Sequence, residues 1–168
     1  KIWMEIKDNL RRWFVKSVQI FYKFLVKFSI ITVVKNNKFQ ISKTINSIQN
    51  QNFKNFEFII VDGVSKDGTT EEIKTKSKSF KKLKHIIRKD KNLYDGLNYG
   101  IKISSGKYIV ILHSGDIFYS KNTLEIINKS LSNYDAISGN VLFQKKKNIV
   151  RYWNYKIEKL TKLNSFKI

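Results

Sequence analysis

The chain has no cysteine and no proline among its 168 residues, and alanine occurs once. Without cysteine, a disulfide framework and a thiolate metal site are both excluded. A reducing compartment is permitted by this absence but is not proved by it. Metal-free chemistry and chemistry at a carboxylate-bound metal ion both stay open.

Arginine is also scarce, because lysine outnumbers it 29 to 4 in a chain whose net charge is +20. Such a charge favours nucleic acid, an anionic membrane or a phosphorylated substrate as a partner. A composition rich in Lys, Asn and Ile is also typical of an AT-rich genome, which explains part of the excess. Nucleic-acid modules usually depend on arginine, so we expect no nucleic-acid partner. A basic binder of polyanions or membrane surfaces stays an alternative.

The length allows one ordinary domain with one appended element. We predict that the appended element is a basic amphipathic helix over residues 1–27, and that the domain covers residues 28–168. Lysines interrupt the segment too often for a membrane span, but it suits a bilayer interface. A helix packed on the domain, or one that belongs to a preceding domain, is the alternative. Its apolar positions recur every three or four residues, at Trp3, Ile6, Leu10, Trp13 or Phe14, Val18, Phe21 and Leu25.

The stretch from Phe56 to Glu72 reads as a strand, a tight loop and a helix. The apolar run 58–61 is typical of a strand buried on both faces of a parallel sheet, and it ends at Asp62. Thr69 and Glu72 match a capping box, which predicts a helix start. Open α/β sheets bind ligands at the carboxyl ends of their strands. Asp62 is therefore a candidate binding residue, whereas Asp67 is interpreted as an acceptor for loop amides.

Strands and helices alternate along the remaining chain. Apolar runs predict strands at 28–34, 83–88 and 108–112, and helices are predicted at 39–51, 70–80, 93–103 and 122–133. Asn37 and Gln40 predict the cap of the first of these helices. A last strand is predicted at 135–143, with a lysine-rich tip and a return strand at 149–153. This order predicts an α/β fold with a doubly wound, mostly parallel sheet and helices on both faces.

A second acidic residue, Asp116, follows the strand at 108–112. If the strands are parallel, Asp62 and Asp116 lie at one edge of the sheet. One carboxylate there can hold a ribose or base, and the other can hold Mg²⁺ or Mn²⁺ together with phosphate oxygens. The basic residues Lys35 and either Arg88 or Lys89 would then face a diphosphate.

Four motifs in order resemble the inverting glycosyltransferases of family 2, which have the Rossmann-like GT-A fold. The motifs are Ser29-Ile-Ile-Thr-Val-Val-Lys-Asn36, Ile60-Val-Asp-Gly-Val-Ser-Lys-Asp-Gly-Thr69, Asp90-Lys-Asn-Leu-Tyr-Asp-Gly-Leu-Asn-Tyr-Gly100 and Ser105-Gly-Lys-Tyr-Ile-Val-Ile-Leu-His-Ser-Gly-Asp116. The resemblance covers about residues 29–141 and is strongest to bacterial transferases of capsular, exopolysaccharide or lipopolysaccharide sugars.

The resemblance implies a nucleotide-diphosphate sugar donor, with UDP favoured, and a glycan or lipid-linked acceptor. It implies a cytoplasmic location, with the inner face of the cytoplasmic membrane as a further option. It assigns Asp62 to the base and ribose, the backbone of Val34 and Lys35 to the base pocket, and Asp116 to the Mg²⁺ or Mn²⁺ ion. The segment that borders the donor sugar in relatives contains Tyr94, Asp95 and Asn98.

The sequence departs from the family pattern at three positions. Lys35 replaces an aromatic residue, Gly115 replaces the first of two adjacent aspartates, and His113 stands where Asn or Asp is usual. The general base of relatives lies in the acceptor-binding half, and no residue here is nominated for it; Glu158 reads as part of a solvated helix face. We therefore expect the donor-binding part of a truncated domain, with a catalytically incomplete remnant as the alternative.

Overall fold

A computed structural model describes residues 26–131, 136–145 and 148–153 of the chain. The chain divides into two compact units, of which the first ends at Glu125 and the second begins at Ile126. The predicted amphipathic helix falls almost wholly outside the described residues and stays a prediction. Among the residues that the structure describes, no helix is long and apolar enough to cross a membrane.

The first unit alternates strands and helices from Phe28 onward. Its elements are β1 (Phe28–Val34), α1 (Lys38–Gln49), β2 (Phe56–Asp62), α2 (Thr69–Ser79), β3 (Leu83–Ile87), α3 (Leu93–Lys102) and β4 (Tyr108–Ile111), and α4 (Thr123–Ser130) begins before the unit ends. The predicted alternation is confirmed, with differences of one or two residues at most element ends and a shorter α4.

The four strands form one parallel sheet in the order β3-β2-β1-β4. The chain moves outward from β1 to β3 and then returns to the other side of β1. Helices α1 and α2 lie side by side, joined by a hydrogen bond from the Ser42 hydroxyl to Glu72. Helix α3 packs on the opposite face, where Gly100 lies close to Ile31 and Val61. The predicted doubly wound sheet, with helices on both faces, is confirmed.

The core lies around β1 and β2, the two central strands. The apolar residues of both strands are buried except Val33, which is partly exposed, as expected for a parallel sheet covered on both faces. Ile41, Ile45 and Ile48 of α1 are also fully buried, and burial of each such side chain contributes roughly 1.5–3 kcal/mol. Gly100 permits a close approach of α3, because an added Cβ would lie 2.6 Å from Ile31 Cγ2.

The two predicted helix caps are wrong, although the helices begin within a residue of where they were predicted. Asn37 precedes α1 without capping it, and its side-chain amide instead donates to Ser114 across the loops. The residue at the cap position of α2 is Gly68, which has no side chain to cap the helix. The carboxylate of Glu72 accepts from Ser42 rather than reaching back to the helix start. In both cases a tertiary partner replaces the local one.

The second unit contains an antiparallel hairpin of β5 (Val141–Lys145) and β6 (Asn148–Trp153). The predicted hairpin and its return strand are therefore confirmed. The predicted strand start at residue 135 is wrong in the part described, since residues 136–140 form no strand. The register shifts between Phe143 and Gln144, which marks a bulge or irregularity.

Candidate functional site

The carboxyl ends of all four parallel strands meet at one edge of the sheet. Asp62 is the last residue of β2, and Asp116 follows β4. Strand β1 lies between these strands, with Val34 in register with Asp62. The structure thus places the two acidic residues on one edge, at the point where the strand order reverses. Such a reversal is where open α/β sheets bind their ligands.

Asp62 is fully buried, and its carboxylate accepts hydrogen bonds from protein groups. Oδ1 accepts from the Ser65 backbone N–H at 2.9 Å, and Oδ2 accepts from the Thr70 hydroxyl at 2.5 Å. Burial alone would raise the pKa of the Asp62 carboxyl, but the hydrogen bonds from Thr70 and Ser65, together with the nearby His85, hold this pKa below its usual value. Asp62 is ionised at neutral pH and fixes the loop that follows it.

His85 is the neighbour of Asp62 that sequence reasoning missed. Its Nε2 lies 3.5 Å from Asp62 Oδ2, and its side chain is 8 % exposed. This distance is too long for a strong hydrogen bond, and no described residue bonds to Nε2. Burial is the main cause that lowers the pKa of His85, against the attraction of Asp62. A period-two pattern places His85 on the same sheet face as Asp62, which is the signal that was available.

The loops after β1 and β2 hold each other through side chains. The Asn36 backbone N–H donates to Ser65 Oγ, and Asn36 Oδ1 accepts from the Lys66 N–H. Asn36 and Val64 both have positive φ, at 51° and 60°. Asn tolerates this region, whereas a β-branched residue is strained there. The paired loops therefore store strain beside the candidate site.

Asp67 stabilises the start of α2, as its interpretation as a loop acceptor predicts. Its Oδ1 accepts from the backbone N–H and hydroxyl of Thr69, and its Oδ2 accepts from the Lys38 N–H. The Thr69 hydroxyl is the main cause that lowers the pKa of Asp67. This carboxylate joins the two loops and has a structural role.

Val34 and Lys35 form the β1 side of the edge. Val34 is buried, and its carbonyl oxygen accepts from the Gly63 N–H at 2.9 Å. Lys35 is exposed, and its aliphatic stem lies over Gly63, 3.4 Å from where a Cβ would stand. The lysine stem therefore packs against the β2 loop at ordinary van der Waals distance.

A charged cluster follows β3 and is centred on Arg88, which the sequence suggested, as an alternative to Lys89, for facing a diphosphate. Arg88 Nε lies 3.0 Å from Asp90 Oδ1, Arg88 also lies 3.5 Å from Asp95 Oδ2, and its guanidinium stacks on Tyr99. Asp90 is 7 % exposed, and no described residue donates a well-directed hydrogen bond to either of its oxygens. Burial raises the pKa of Asp90, Arg88 opposes this, and Asp95 adds to it.

The residues nominated in α3 lie in its first two turns. Tyr94 is 72 % exposed, and Asn98 is also exposed. Asp95 is half-buried; its carboxylate accepts from the Lys91 N–H, and its own N–H donates to the capping side chain of Asn92. Tyr94 and Asn98 are thus accessible to a ligand, whereas Asp95 already has protein partners.

Asp116 is exposed, and its backbone is anchored. Its N–H donates to His113 O, and its carbonyl oxygen accepts from the Thr44 hydroxyl, which also accepts from Gly115 N–H. Gly115 has a φ of +107°, which favours glycine at this turn. No described residue bonds to the Asp116 carboxylate. The fold therefore anchors the backbone of this turn and leaves the carboxylate accessible to solvent.

The donor set suits a cation that is shared with a ligand. Within the described ranges, no group of three or more His, Cys, Asp or Glu side chains is arranged to hold a metal ion. Asp116 would supply one carboxylate, and phosphate oxygens and water would complete the shell. Mg²⁺ and Mn²⁺ commonly bind in this way.

Comparison with known proteins decides the family. The sequence model described as "Glycosyl transferase family 2" matches residues 29–168. The chain belongs to glycosyltransferase family 2. The GT-A fold that was expected from the motifs is also that of its structural neighbours.

Three relatives illustrate the similarity. A Campylobacter jejuni GalNAc(5)-diNAcBac-PP-undecaprenol beta-1,3-glucosyltransferase is 28% identical over 134 residues, covering 77% of this chain and 43% of that protein. The Pyrobaculum calidifontis mannosyltransferase PcManGT, solved with GDP-Man and Mn²⁺, has a TM-score of 0.60 and 21% identity, covering 71% of this chain and 36% of its own. Staphylococcus aureus TarS, solved with UDP-GlcNAc, has a TM-score of 0.57 and 26% identity, covering 63% and 31%.

The chain spans only part of the length of these proteins. It covers 21%, 17% and 43% of the first three curated relatives. The family and fold are therefore established for this domain, and the activity of the complete protein is a matter of proposal.

Proposed function

We propose that this domain binds a nucleotide-diphosphate sugar and a divalent cation at the carboxyl edge of its sheet. The observation that carries the proposal is the pair of acidic residues at the point where the strand order reverses. Asp62 is buried and orders the β2 loop, while Asp116 is exposed and available to a cation. UDP is the favoured nucleotide, since TarS at 26% identity was solved with UDP-GlcNAc.

Each nominated residue has a place in this proposal. Lys35 and the backbone of Val34 border the base and ribose. The resemblance assigned Asp62 to direct contact with the base and ribose, but its carboxylate is fully buried, so we assign it instead to fixing the loop 63–67 against Asn36. Tyr94, Asp95 and Asn98 lie toward the donor sugar. Mg²⁺ or Mn²⁺, held by Asp116, supplies Lewis-acid stabilisation of charge on the departing diphosphate. The complete protein would transfer the sugar to a glycan or lipid-linked acceptor during synthesis of a bacterial surface polysaccharide.

Isothermal titration with UDP, with and without Mn²⁺, tests the proposal. We expect UDP binding that is strengthened by Mn²⁺ in the unmodified chain. Asp116→Asn should remove that strengthening, because an amide is a weaker ligand for a hard cation and carries no charge. Glu71→Gln makes the same kind of change at an exposed residue of α2 and should leave the titration unchanged.

Two results would contradict the proposal. The absence of metal-dependent heat with UDP, GDP and other nucleotides, on folded protein, would reject the nucleotide site. Metal-dependent UDP binding that survives Asp116→Asn unchanged would instead reject only the assignment of the cation ligand.

A further inference from the structure

Lysines gather at the opposite edge of the sheet, where all four parallel strands begin. Lys27, Lys82 and Lys107 each stand directly before a strand, and Lys54 stands two residues before another. We call this surface the basic edge and define it by Lys27, Lys54, Lys81, Lys82 and Lys107. All of them except the half-buried Lys27 are exposed.

The residues of the basic edge form one continuous surface. Tyr108 N–H donates to the Lys27 carbonyl oxygen, and the ammonium groups of Lys27 and Lys107 lie 5.2 and 5.3 Å from the centre of the Tyr108 ring. On the other side, the ammonium of Lys82 donates to the Lys54 carbonyl oxygen. The basic edge thus runs across all four strand starts.

Acidic residues are largely absent from this edge in the described chain. Between residues 26 and 131 there are nine acidic residues. Six of them lie in loops after strands or in the first turn of the helix that follows β2 or β3, and a seventh, Asp62, is the last residue of β2. Glu57, at the start of β2, is buried and paired with Lys84 at 2.6 Å. Glu125 lies in α4. The charges of the domain are therefore separated between its two edges.

The chain enters the domain at this same edge. The Val26 carbonyl oxygen accepts from the Lys107 N–H, so the segment 1–25 is covalently joined beside the basic edge. That segment carries six basic and two acidic residues, together with several aromatic residues. Its sequence continues the positive charge of the edge.

We propose that the basic edge docks on an anionic lipid surface, with the nucleotide site facing away from it. Lysine charges close to an anionic leaflet each strengthen binding about fivefold. A seven-residue strand spans roughly 20 Å at its usual rise per residue. This is more than the Debye length of about 8 Å at physiological salt, so the anionic surface does not repel an anionic donor at the far edge.

Lysine rather than arginine favours lipid over nucleic acid as the partner. The basic edge contains no arginine, and its ammonium groups are point charges without the planar fork that pairs with single phosphates and bases. A diffuse field from several lysines suits a surface of many mobile anionic headgroups.

Co-sedimentation of the 168-residue chain with vesicles tests this docking. Phosphatidylcholine vesicles containing phosphatidylglycerol are compared with vesicles of phosphatidylcholine alone. The triple variant Lys81→Gln, Lys82→Gln, Lys107→Gln is compared with a matched triple, Lys43→Gln, Lys66→Gln, Lys91→Gln, which removes the same charge from exposed positions elsewhere. Far-UV circular dichroism checks that both triple variants are folded. If either triple variant is unfolded, the single variant Lys81→Glu replaces the basic-edge triple and Lys66→Glu replaces the matched triple.

We expect binding only to the anionic vesicles, falling with salt. The basic-edge triple should bind on the order of a hundredfold more weakly, and the matched triple should change by a few-fold at most. Equal losses in both triples would mean that net charge alone acts, and no loss in either would mean that residues 1–25 suffice. Either result overturns the proposal, as would equal binding to neutral vesicles or tighter, triple-sensitive binding to an RNA oligonucleotide.

Discussion

Substitution of Glu57 tests how the strands of the sheet are held together. Its Oε1 accepts from the Ser29 hydroxyl at 2.5 Å, the Ser105 N–H at 2.6 Å and the Ser105 hydroxyl at 2.7 Å. Its Oε2 lies 2.6 Å from Lys84 Nζ. One buried carboxylate therefore joins β1, β2, β3 and the loop before β4. We predict that Glu57→Gln destabilises the domain strongly.

The magnitude follows from the pKa of this carboxyl. Burial would raise the pKa of Glu57, but the bonds from Lys84, Ser29 and Ser105 lower it from 4.5 to about 2. A difference of about 2.5 units corresponds to about 3 kcal/mol of folding free energy, to order of magnitude. Because the pKa is lowered in the folded state, this stability is present above pH 4.5 and is lost as the pH falls toward 2.

Urea unfolding followed by far-UV circular dichroism, repeated between neutral pH and pH 2, measures the effect. Glu57→Gln should lose about 3 kcal/mol at neutral pH, and its difference from the unmodified chain should shrink as the acid range is entered. Glu71→Gln, at an exposed residue, should change stability by less than about 0.5 kcal/mol. A Glu57→Gln loss no larger than that of Glu71→Gln, or one independent of pH, would refute the reasoning.

Two further predictions concern backbone geometry. An added Cβ in Gly106→Ala would lie 2.5 Å from the Ser29 backbone nitrogen, whereas an added Cβ at Gly139 would meet open space. In urea unfolding, Gly106→Ala should therefore lower the free energy of unfolding by about 3 kcal/mol or more, and Gly139→Ala should lower it much less. Equal effects would contradict this account. Val64 is exposed at a φ of 60°, so Val64→Asn should stabilise the domain by about 1 kcal/mol in thermal melts, and Val64→Ala should gain less. A loss of stability in Val64→Asn would show that the strain is absent.

The sheet was predictable because its signals are local and repeated. The run from Phe58 to Val61 is apolar on both faces of its strand, which is typical of a parallel sheet covered on both faces. The α1 residues Ile41, Ile45 and Ile48 likewise show a helical period that burial confirms. The caps were not predictable, because Asn37 and Glu72 found partners more than 25 residues away in sequence.

The site was predictable in position but less so in detail. The loop pattern places Asp62 and Asp116 after parallel strands, which suffices to put them on one edge. Nothing local reveals that the Arg88 guanidinium stacks on Tyr99, since this contact depends on where α3 places the ring. The seating of α3 is close, because an added Cβ at Gly96 would lie 2.9 Å from a methyl carbon of Val33.

Burial separates the roles of the two acidic residues that the sequence presents as equivalent. Asp62 lies on the sheet face covered by α2, where Thr70 and the Ser65 N–H satisfy its oxygens, so its charge is used to order a strained loop. Asp116 lies beyond a shorter strand, in a turn that Thr44 anchors through the backbone alone. Its carboxylate thus stays free of described protein donors and keeps its capacity for a cation. One edge of the sheet can therefore combine a rigid loop with an accessible metal ligand, because the same residue type is buried at one strand end and exposed at another.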